Sequence, residues 1–331
     1  MKTAVFDLHK FEAPYFAELN ARYGHELAFF ELRLSEATAH LAKGFPAVCV
    51  FAHDQVNAAV LKILREGGTR LVALRSAGFN HVDLPTAASL GIKVVRVPAY
   101  SPHAIAEHAV ALILALDRKI CRASARVHDL NFSLEGLVGF DLHGKTVGIV
   151  GAGRIGSVFA RIMRGFGCRV LAHDLLASPE LEALGVRFVS LDELLAESDI
   201  VSLHLPLTAS SEHLINAQAI GKMKHGVTLI NTGRGGLVDT KALIDGLKSG
   251  RIGAAGLDVY EEEESVFFQD FSSSVLQDDV LARLMTFPNV LITAHQAFLT
   301  AEALREIVST TLYNIDQFER GQPLENEVRI P

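Results

Sequence analysis

The chain has 331 residues, 49% of them hydrophobic and 21% charged, with a formal net charge of −7. That length exceeds the size at which single cores stop growing, so two domains are expected. The acidic balance supplies no broad basic surface for a phosphate backbone, and no apolar run approaches the ~20 residues of a membrane span, which excludes nucleic acid and membrane as partners.

The N-terminal stretch MKTAVFDLHKFEAPYF breaks its apolar run at Asp7, His9 and Lys10 and so lacks the core of a secretory signal. Cys49, Cys121 and Cys168 form no C-x-x-C pair and read as thiols in a reducing compartment. A cytoplasmic protein is expected. The fourteen histidines include no H-E-x-x-H pattern, and no metal is expected.

Over the first hundred residues TAVFD, AVCVF, RLVAL and KVVRV read as strands, with helical stretches such as NAAVLKILREG between them. A long helix then follows from Ser101, a plausible N-cap, with Pro102 at its first position. The first boundary is placed at Tyr100.

From residue 146 the runs TVGIVG, RVLAHD, IVSLHLP, VTLINT, IGAAGLD and NVLIT alternate with helical patterns. Six strands so separated predict a parallel, doubly wound sheet of order 3-2-1-4-5-6. Ile155, Val158, Phe159, Ile162, Met163 and Phe166 mark one face of the helix after the first of them.

That first strand runs into Gly151-Ala152-Gly153-Arg154-Ile155-Gly156. Glycines in this register permit a tight turn, close backbone approach to a pyrophosphate and close helix-to-strand packing, with the anion on the helix N-terminus. The second strand ends at Asp174, whose carboxylate suits ribose hydroxyls. No lysine or arginine follows in LLASPELEALG to meet a 2′-phosphate, so NAD is the expected cofactor.

Ligands of such sheets lie at the carboxyl ends of the strands. The strand VTLINT leads into Asn231-Thr232-Gly233-Arg234-Gly235-Gly236, where one arginine offers a planar fork of donors to a carboxylate. The next strand ends at Asp258 and leads to Glu261–Glu264, and the last leads to His295. An arginine, an acidic cluster and a histidine on one rim fit hydride transfer to a 2-oxo acid: the arginine holds the anion and the histidine gives a proton to the developing alkoxide. A carboxylate near His295 would favour its imidazolium. After Phe298 a final helix is expected, with Thr300 as N-cap and Gly321 as its stop.

VGIVGAGRIG with Asp174, NTGRGGLVD, GLDVYEEE and HQAFLTAEAL together resemble the D-isomer-specific 2-hydroxyacid dehydrogenases over essentially the whole chain. RVPAYSPHAIAEHAV and VFFQDFSSSVLQDDV are similar in particular to the fermentative D-lactate branch of that family. The resemblance implies an NAD-dependent enzyme interconverting pyruvate and D-lactate. Its catalytic set is Arg234, Glu263 and His295, with His295 as proton donor and acceptor. The substrate contacts it implies are Ala77 and Gly78 in RSAGFNHVD, together with Tyr100 and Phe298. The cofactor contacts are Gly151, Gly153, Arg154, Ile155, Gly156, Asp174, Leu205, Pro206, Ser211, Thr232, Gly233 and Asp258.

The same resemblance implies α/β architecture with two doubly wound parallel-sheet domains, a Rossmann domain over 101–298 inserted in a flavodoxin-like substrate domain over 1–100 and 299–331. A homodimer or homotetramer is expected. The alternatives are a dehydrogenase for a bulkier D-2-hydroxy acid, and an NAD-sensing scaffold with little turnover.

Overall fold

The computed structural model of the chain describes residues 1–329. Its backbone falls into two compact units, residues 1–101 together with the chain from Leu299 onward, and Pro102–Phe298.

In the first unit five strands, β1 (Lys2–Val5), β2 (Glu26–Phe29), β3 (Ala47–Val50), β4 (Leu71–Leu74) and β5 (Lys93–Val95), pair in parallel in the order β2-β1-β3-β4-β5. β3 and β4 are buried along their whole length, as parallel strands covered on both faces must be. The Ala58–Glu66 helix begins where the Asn57 side chain accepts the Val60 amide, and it buries Val60, Leu61 and Leu64 on one face. β2 has no counterpart among the expected strands. It is a half-exposed edge strand, built on the short apolar run Leu27-Ala28-Phe29.

The Ala301–Glu319 helix belongs to this unit. Thr300 accepts the Ala303 amide at its start, Val308 and Leu312 pack with Val5, Phe16 and Cys49, and Ile315 packs with Ala47, Leu71 and Val95. Each fully buried aliphatic side chain contributes about 1.5–3 kcal/mol, so these contacts fix the chain's return to its first sheet.

The second unit carries β6 (Thr146–Val150), β7 (Arg169–His173), β8 (Arg187–Phe188), β9 (Ile200–Leu203), β10 (Val227–Asn231), β11 (Ile252–Leu257) and β12 (Val290–Ile292). All pair in parallel, in the order β12-β11-β10-β9-β6-β7-β8. The sheet thus has seven strands where six were expected. The two-residue β8 takes the third place in the winding, and IVSL becomes the fourth strand, beside β6. With that correction the order keeps its reversal at β6 and β9, and every strand still points its carboxyl end at one rim.

Ala106, Ala109, Val110 and Ile113 of the Pro102–Asp117 helix pack with Val147 and Ile149 of β6. The long helix expected from Ser101 is broken after Asp117. Lys119 adopts a left-handed φ of 51°, and a second helix runs from Ile120 to His128. Among the described residues no helix is long and apolar enough to cross a membrane.

Candidate functional site

The turn after β6 separates the work of its three glycines. Gly151 has φ +94°, and a Cβ there would lie 2.7 Å from the main chain of His204. At Gly156 a Cβ would lie 2.0 Å from the Gly151 carbonyl oxygen, so the Arg154–Gly165 helix could not approach the strand with any side chain at this position. A Cβ on Gly153 meets nothing within 4 Å. Gly153 is also the N-cap and offers no side chain to the amides of the first turn, leaving those donors and the positive end of the helix for an anion.

Asp174, just past β7, is exposed and oriented. Its Oδ2 accepts the Ala152 amide at 2.7 Å and its Oδ1 the Leu175 amide at 2.6 Å. An ionised carboxylate has about four acceptor positions, so two remain for a diol. Arg154 is exposed on the first helical turn, while Ile155 is half-buried against the core behind the sheet.

Beyond β9, Leu205 is half-buried with its amide against Gly151, and Pro206 is exposed. Ser211 is buried. Its hydroxyl donates to the Pro206 carbonyl at 2.8 Å and accepts the Thr208 amide at 2.8 Å, so this side chain folds its own turn.

Asn231, the last residue of β10, fastens the loop that follows: its Nδ2 donates to the Arg234 carbonyl at 2.9 Å and its Oδ1 accepts the Gly233 amide at 3.1 Å. Within that loop Thr232 is buried, and among the described residues its Oγ1 has no hydrogen-bond partner. Arg234 is half-buried. One guanidinium nitrogen donates to the Gly233 carbonyl at 2.7 Å, and among the described residues no carboxylate pairs with it, so its charge is not offset by an ion pair there. A Cβ on Gly235 would lie 2.1 Å from the main chain of Tyr260, which explains the glycine after the arginine and puts this loop against the acidic one.

Of the four glutamates, Glu262 and Glu264 are exposed. Glu261 pairs with His213 at 2.6 Å and takes the Thr240 hydroxyl at 2.7 Å; this partner holds the His213 imidazole above its ordinary range. Glu263 turns the other way. Its Oε2 accepts the Tyr260 amide at 2.9 Å and its Oε1 lies 2.7 Å from Nδ1 of His295. Because a carboxylate only accepts, Nδ1 carries the proton in this pair.

His295 lies three residues beyond β12, in the left-handed region with φ 52°. One buried carboxylate holds it there. Asp258 accepts the Thr293 hydroxyl at 2.6 Å and the Gln296 amide at 2.8 Å on Oδ1, and the Ala297 amide at 2.9 Å on Oδ2, while its main-chain carbonyl takes the His295 amide at 2.7 Å. Burial pushes this carboxyl upward, but the bonds from His108, Thr293 and Ala297 and the nearby His295 together hold it below the usual carboxylate range. The expected residue set missed His108, Thr293 and Asn231. Nothing in their local sequence sets them apart, since other polar residues share the His108 helix and β10, and Thr293 lies just past β12.

The groups fit a dinucleotide: a helix N-terminus opening on a bare glycine, a ribose-directed carboxylate, and a buried hydroxyl with no protein partner at the next strand end. In the first unit, Ala77 and Gly78 form a short loop beyond β4 whose carbonyls are turned inward. Arg96 donates to Ala77 O at 2.9 Å and Ser76 to Gly78 O at 2.7 Å. Tyr100 is half-buried at the end of that unit's first segment, and Phe298 is buried at the end of the second unit.

Comparison with known proteins agrees with this reading of the groups. Residues 110–297 match the family described as "D-isomer specific 2-hydroxyacid dehydrogenase, NAD binding domain". The chain is 51% identical over 319 residues to 2-hydroxyacid dehydrogenase homolog 1 of Schizosaccharomyces pombe, covering 96% of each chain. It is 49% identical over 328 residues to D-lactate dehydrogenase of Escherichia coli, covering 99% of this chain and 100% of the other. Among solved structures, the pyruvate reductase of Chlamydomonas reinhardtii superposes with a TM-score of 0.94 at 46% identity, over 98% of each chain.

Proposed function

Because the chain belongs to the D-isomer specific 2-hydroxyacid dehydrogenases and uses NAD, we propose that its reaction is the reversible reduction of pyruvate to D-lactate. The observation that carries this reading is the His295 and Glu263 pair at 2.7 Å, set beside a loop whose arginine pairs with no carboxylate among the described residues. The D-lactate dehydrogenase of E. coli and the pyruvate reductase of Chlamydomonas, to which the chain is similar, support the choice of substrate within the family.

NAD supplies the hydride acceptor, and in its reduced form the hydride. The residues proposed to hold it are Gly151, Gly153, Gly156, Arg154 and Ile155 at the pyrophosphate, Asp174 at the ribose, Leu205, Pro206 and Ser211 beside the adenine side, and Thr232, Gly233 and Asp258 toward the nicotinamide side. Arg234 offers the planar fork that a 2-oxo acid requires, holding carboxylate and carbonyl in one orientation. His295 delivers a proton from Nε2 to the carbonyl oxygen as charge develops there, and takes it back in the reverse direction. Glu263 fixes the tautomer and rotamer of that imidazole and offsets its positive charge. Ala77 and Gly78 supply amides to the substrate carboxylate, and Tyr100 and Phe298 bound the space for its side chain.

The proposal extends to organisation: residues 1–100 and 299–331 form the substrate domain and 101–298 the NAD domain. Exposed Ile120, Val127, Leu130, Phe132, Leu134 and Val138 give the second unit an apolar stretch that supports a homodimer or homotetramer, to be read from the solution mass, and the cytoplasm is the proposed location.

The deciding assay follows NADH oxidation with 2-oxo acids of increasing side-chain size, and NAD reduction with each lactate enantiomer. Pyruvate giving the highest kcat/KM, and D-lactate alone oxidised, is the expected result. A preference for larger 2-oxo acids would overturn pyruvate as substrate, and tight NADH binding without turnover on any of them would overturn the enzymatic reading.

A further inference from the structure

The turn that presents His295 depends on a second histidine from a distant part of the chain. His108 lies in the middle of the Pro102–Asp117 helix, which Ala106, Ala109, Val110 and Ile113 lock into the core. Its side chain is 18% exposed, and its Nε2 sits 3.1 Å from the Thr293 hydroxyl oxygen and 3.4 Å from Asp258 Oδ1.

The protons of this cluster can be assigned. Thr293 has one hydroxyl proton, and the 2.6 Å contact to the Asp258 carboxylate commits it there. Its oxygen can then only accept from His108, so His108 Nε2 carries a hydrogen and donates. An unprotonated Nε2 would face two acceptors and repel both.

We infer that His108 is a positioning residue for the dehydrogenase reaction, its Nε2–H completing the Asp258-centred network that holds His295 in a left-handed conformation. The inference rests on His295 as the proton donor of the proposed function. A non-glycine residue in that region costs about 1–2 kcal/mol, so the conformation persists only while its surroundings enforce it. Asp258 supplies the enforcing acceptors, Thr293 closes one side of the turn, and His108 ties both to a rigid helix. No atom of this network need touch substrate. Its effect is on the direction in which the His295 imidazole points, and a misplacement of about 1 Å at a reacting group costs up to about 100-fold in rate.

The test uses the full-length protein with pyruvate and NADH. His108→Leu, which keeps side-chain bulk and removes the donor, is expected to lower kcat by about tenfold or more while KM for NADH stays within about twofold. His108→Gln, whose terminal amide restores an N–H donor, is expected to recover kcat to within about threefold of the natural protein. Thr293→Val should reproduce the loss, and His108→Leu combined with Thr293→Val should be no slower than the slower single variant. Natural kcat in His108→Leu, equal losses in the Gln and Leu variants, or multiplying losses in the double variant would each overturn the role. If circular dichroism shows His108→Leu unfolded, Thr293→Val and His108→Gln decide: loss in the first with activity in the second supports the role, and natural kcat in the first overturns it. His295→Asn is the separate control, since full turnover there would remove the proton donor itself and leave the geometry of the turn untouched.

Discussion

Glu263 joins two parts of the second unit through its two oxygens, Oε1 meeting Nδ1 of His295 at 2.7 Å while Oε2 takes the Tyr260 amide at 2.9 Å. Both interactions are donations to a carboxylate, and both need an acceptor. Glu263→Gln keeps the shape but replaces one acceptor by an NH2 group, so one of the two bonds must break and the negative charge beside the imidazole is lost. The expected result is a fall in kcat of about 10- to 100-fold with NADH affinity unchanged. His295→Gln, which removes the transferable proton, should fall further, by about 10²- to 10⁴-fold. Steady-state kinetics with NADH fluorescence titration checks both. Equal kcat in Glu263→Gln and the natural protein would remove Glu263 from the reaction.

Gly153 and Gly156 make opposite predictions from one motif. At Gly156 the new Cβ would meet the Gly151 carbonyl at 2.0 Å, a backbone atom that cannot swing aside, so Gly156→Ala should destabilise the fold by about 3 kcal/mol and lower the melting temperature. At Gly153 the methyl enters open space with φ −68°, which alanine tolerates. Gly153→Ala should therefore melt like the natural protein and bind NADH more weakly. Thermal melting and NADH titration of the two variants separate a packing role from an anion-approach role.

Those glycines were legible because their roles depend on neighbours in sequence, a strand before and an amphipathic helix after. Strands buried on both faces, such as β3, β6 and β10, were legible for the same reason, as short β-branched and apolar runs followed by turn residues. β2 and β8 were not: β2 is a half-exposed edge whose short apolar run Leu27-Ala28-Phe29 lies between charged residues, and β8 is only two residues long. The sequence set Glu263 and His295 on a common rim, yet nothing in it could pair particular atoms. Thr293 and Asp258 are 35 residues apart and His108 and Thr293 are 185 apart, so the network behind His295 exists only in the folded chain. Ser211 likewise shows its second task only in the fold, where its hydroxyl closes the turn beside the proposed adenine side.

Asp174 is held by two amides with its outer acceptor positions exposed. Asp174→Ala removes two charge-assisted hydrogen bonds to a ribose, each of about 1.5–3 kcal/mol, so NADH affinity should fall by about 10²- to 10⁴-fold. The same change removes the negative charge that opposes a 2′-phosphate, and the ratio of NADH to NADPH affinity should shrink. Fluorescence titration with both nucleotides measures the ratio. An unchanged ratio would show that Asp174 is not the discriminating group.

The first unit carries a pH response of its own at Asp54. This carboxyl is buried beside the Arg75 and Glu12 ion pair, and it accepts the Leu34 amide at 2.5 Å and the Phe51 amide at 2.6 Å. Burial pushes it up to about 7, although the two amides and Arg75 act in the opposite direction. In the unfolded chain the same group titrates near 3.9. Between about pH 4 and pH 7 the folded state keeps a proton that the unfolded state has lost, so the unfolded state binds fewer protons and stability falls as pH rises through that window. Above about pH 7 both states are ionised and the contribution is flat. Asp54→Asn cannot titrate and should lack this slope, while losing one of the two accepted bonds at every pH. Unfolding of the natural protein and of the variant, measured from pH 5 to pH 8, should therefore give a stability difference that favours the natural protein most at pH 5 and narrows toward pH 8. A difference that stays constant, or that widens with pH, would show that Asp54 is ionised in the fold throughout and that its amide bonds outweigh its burial.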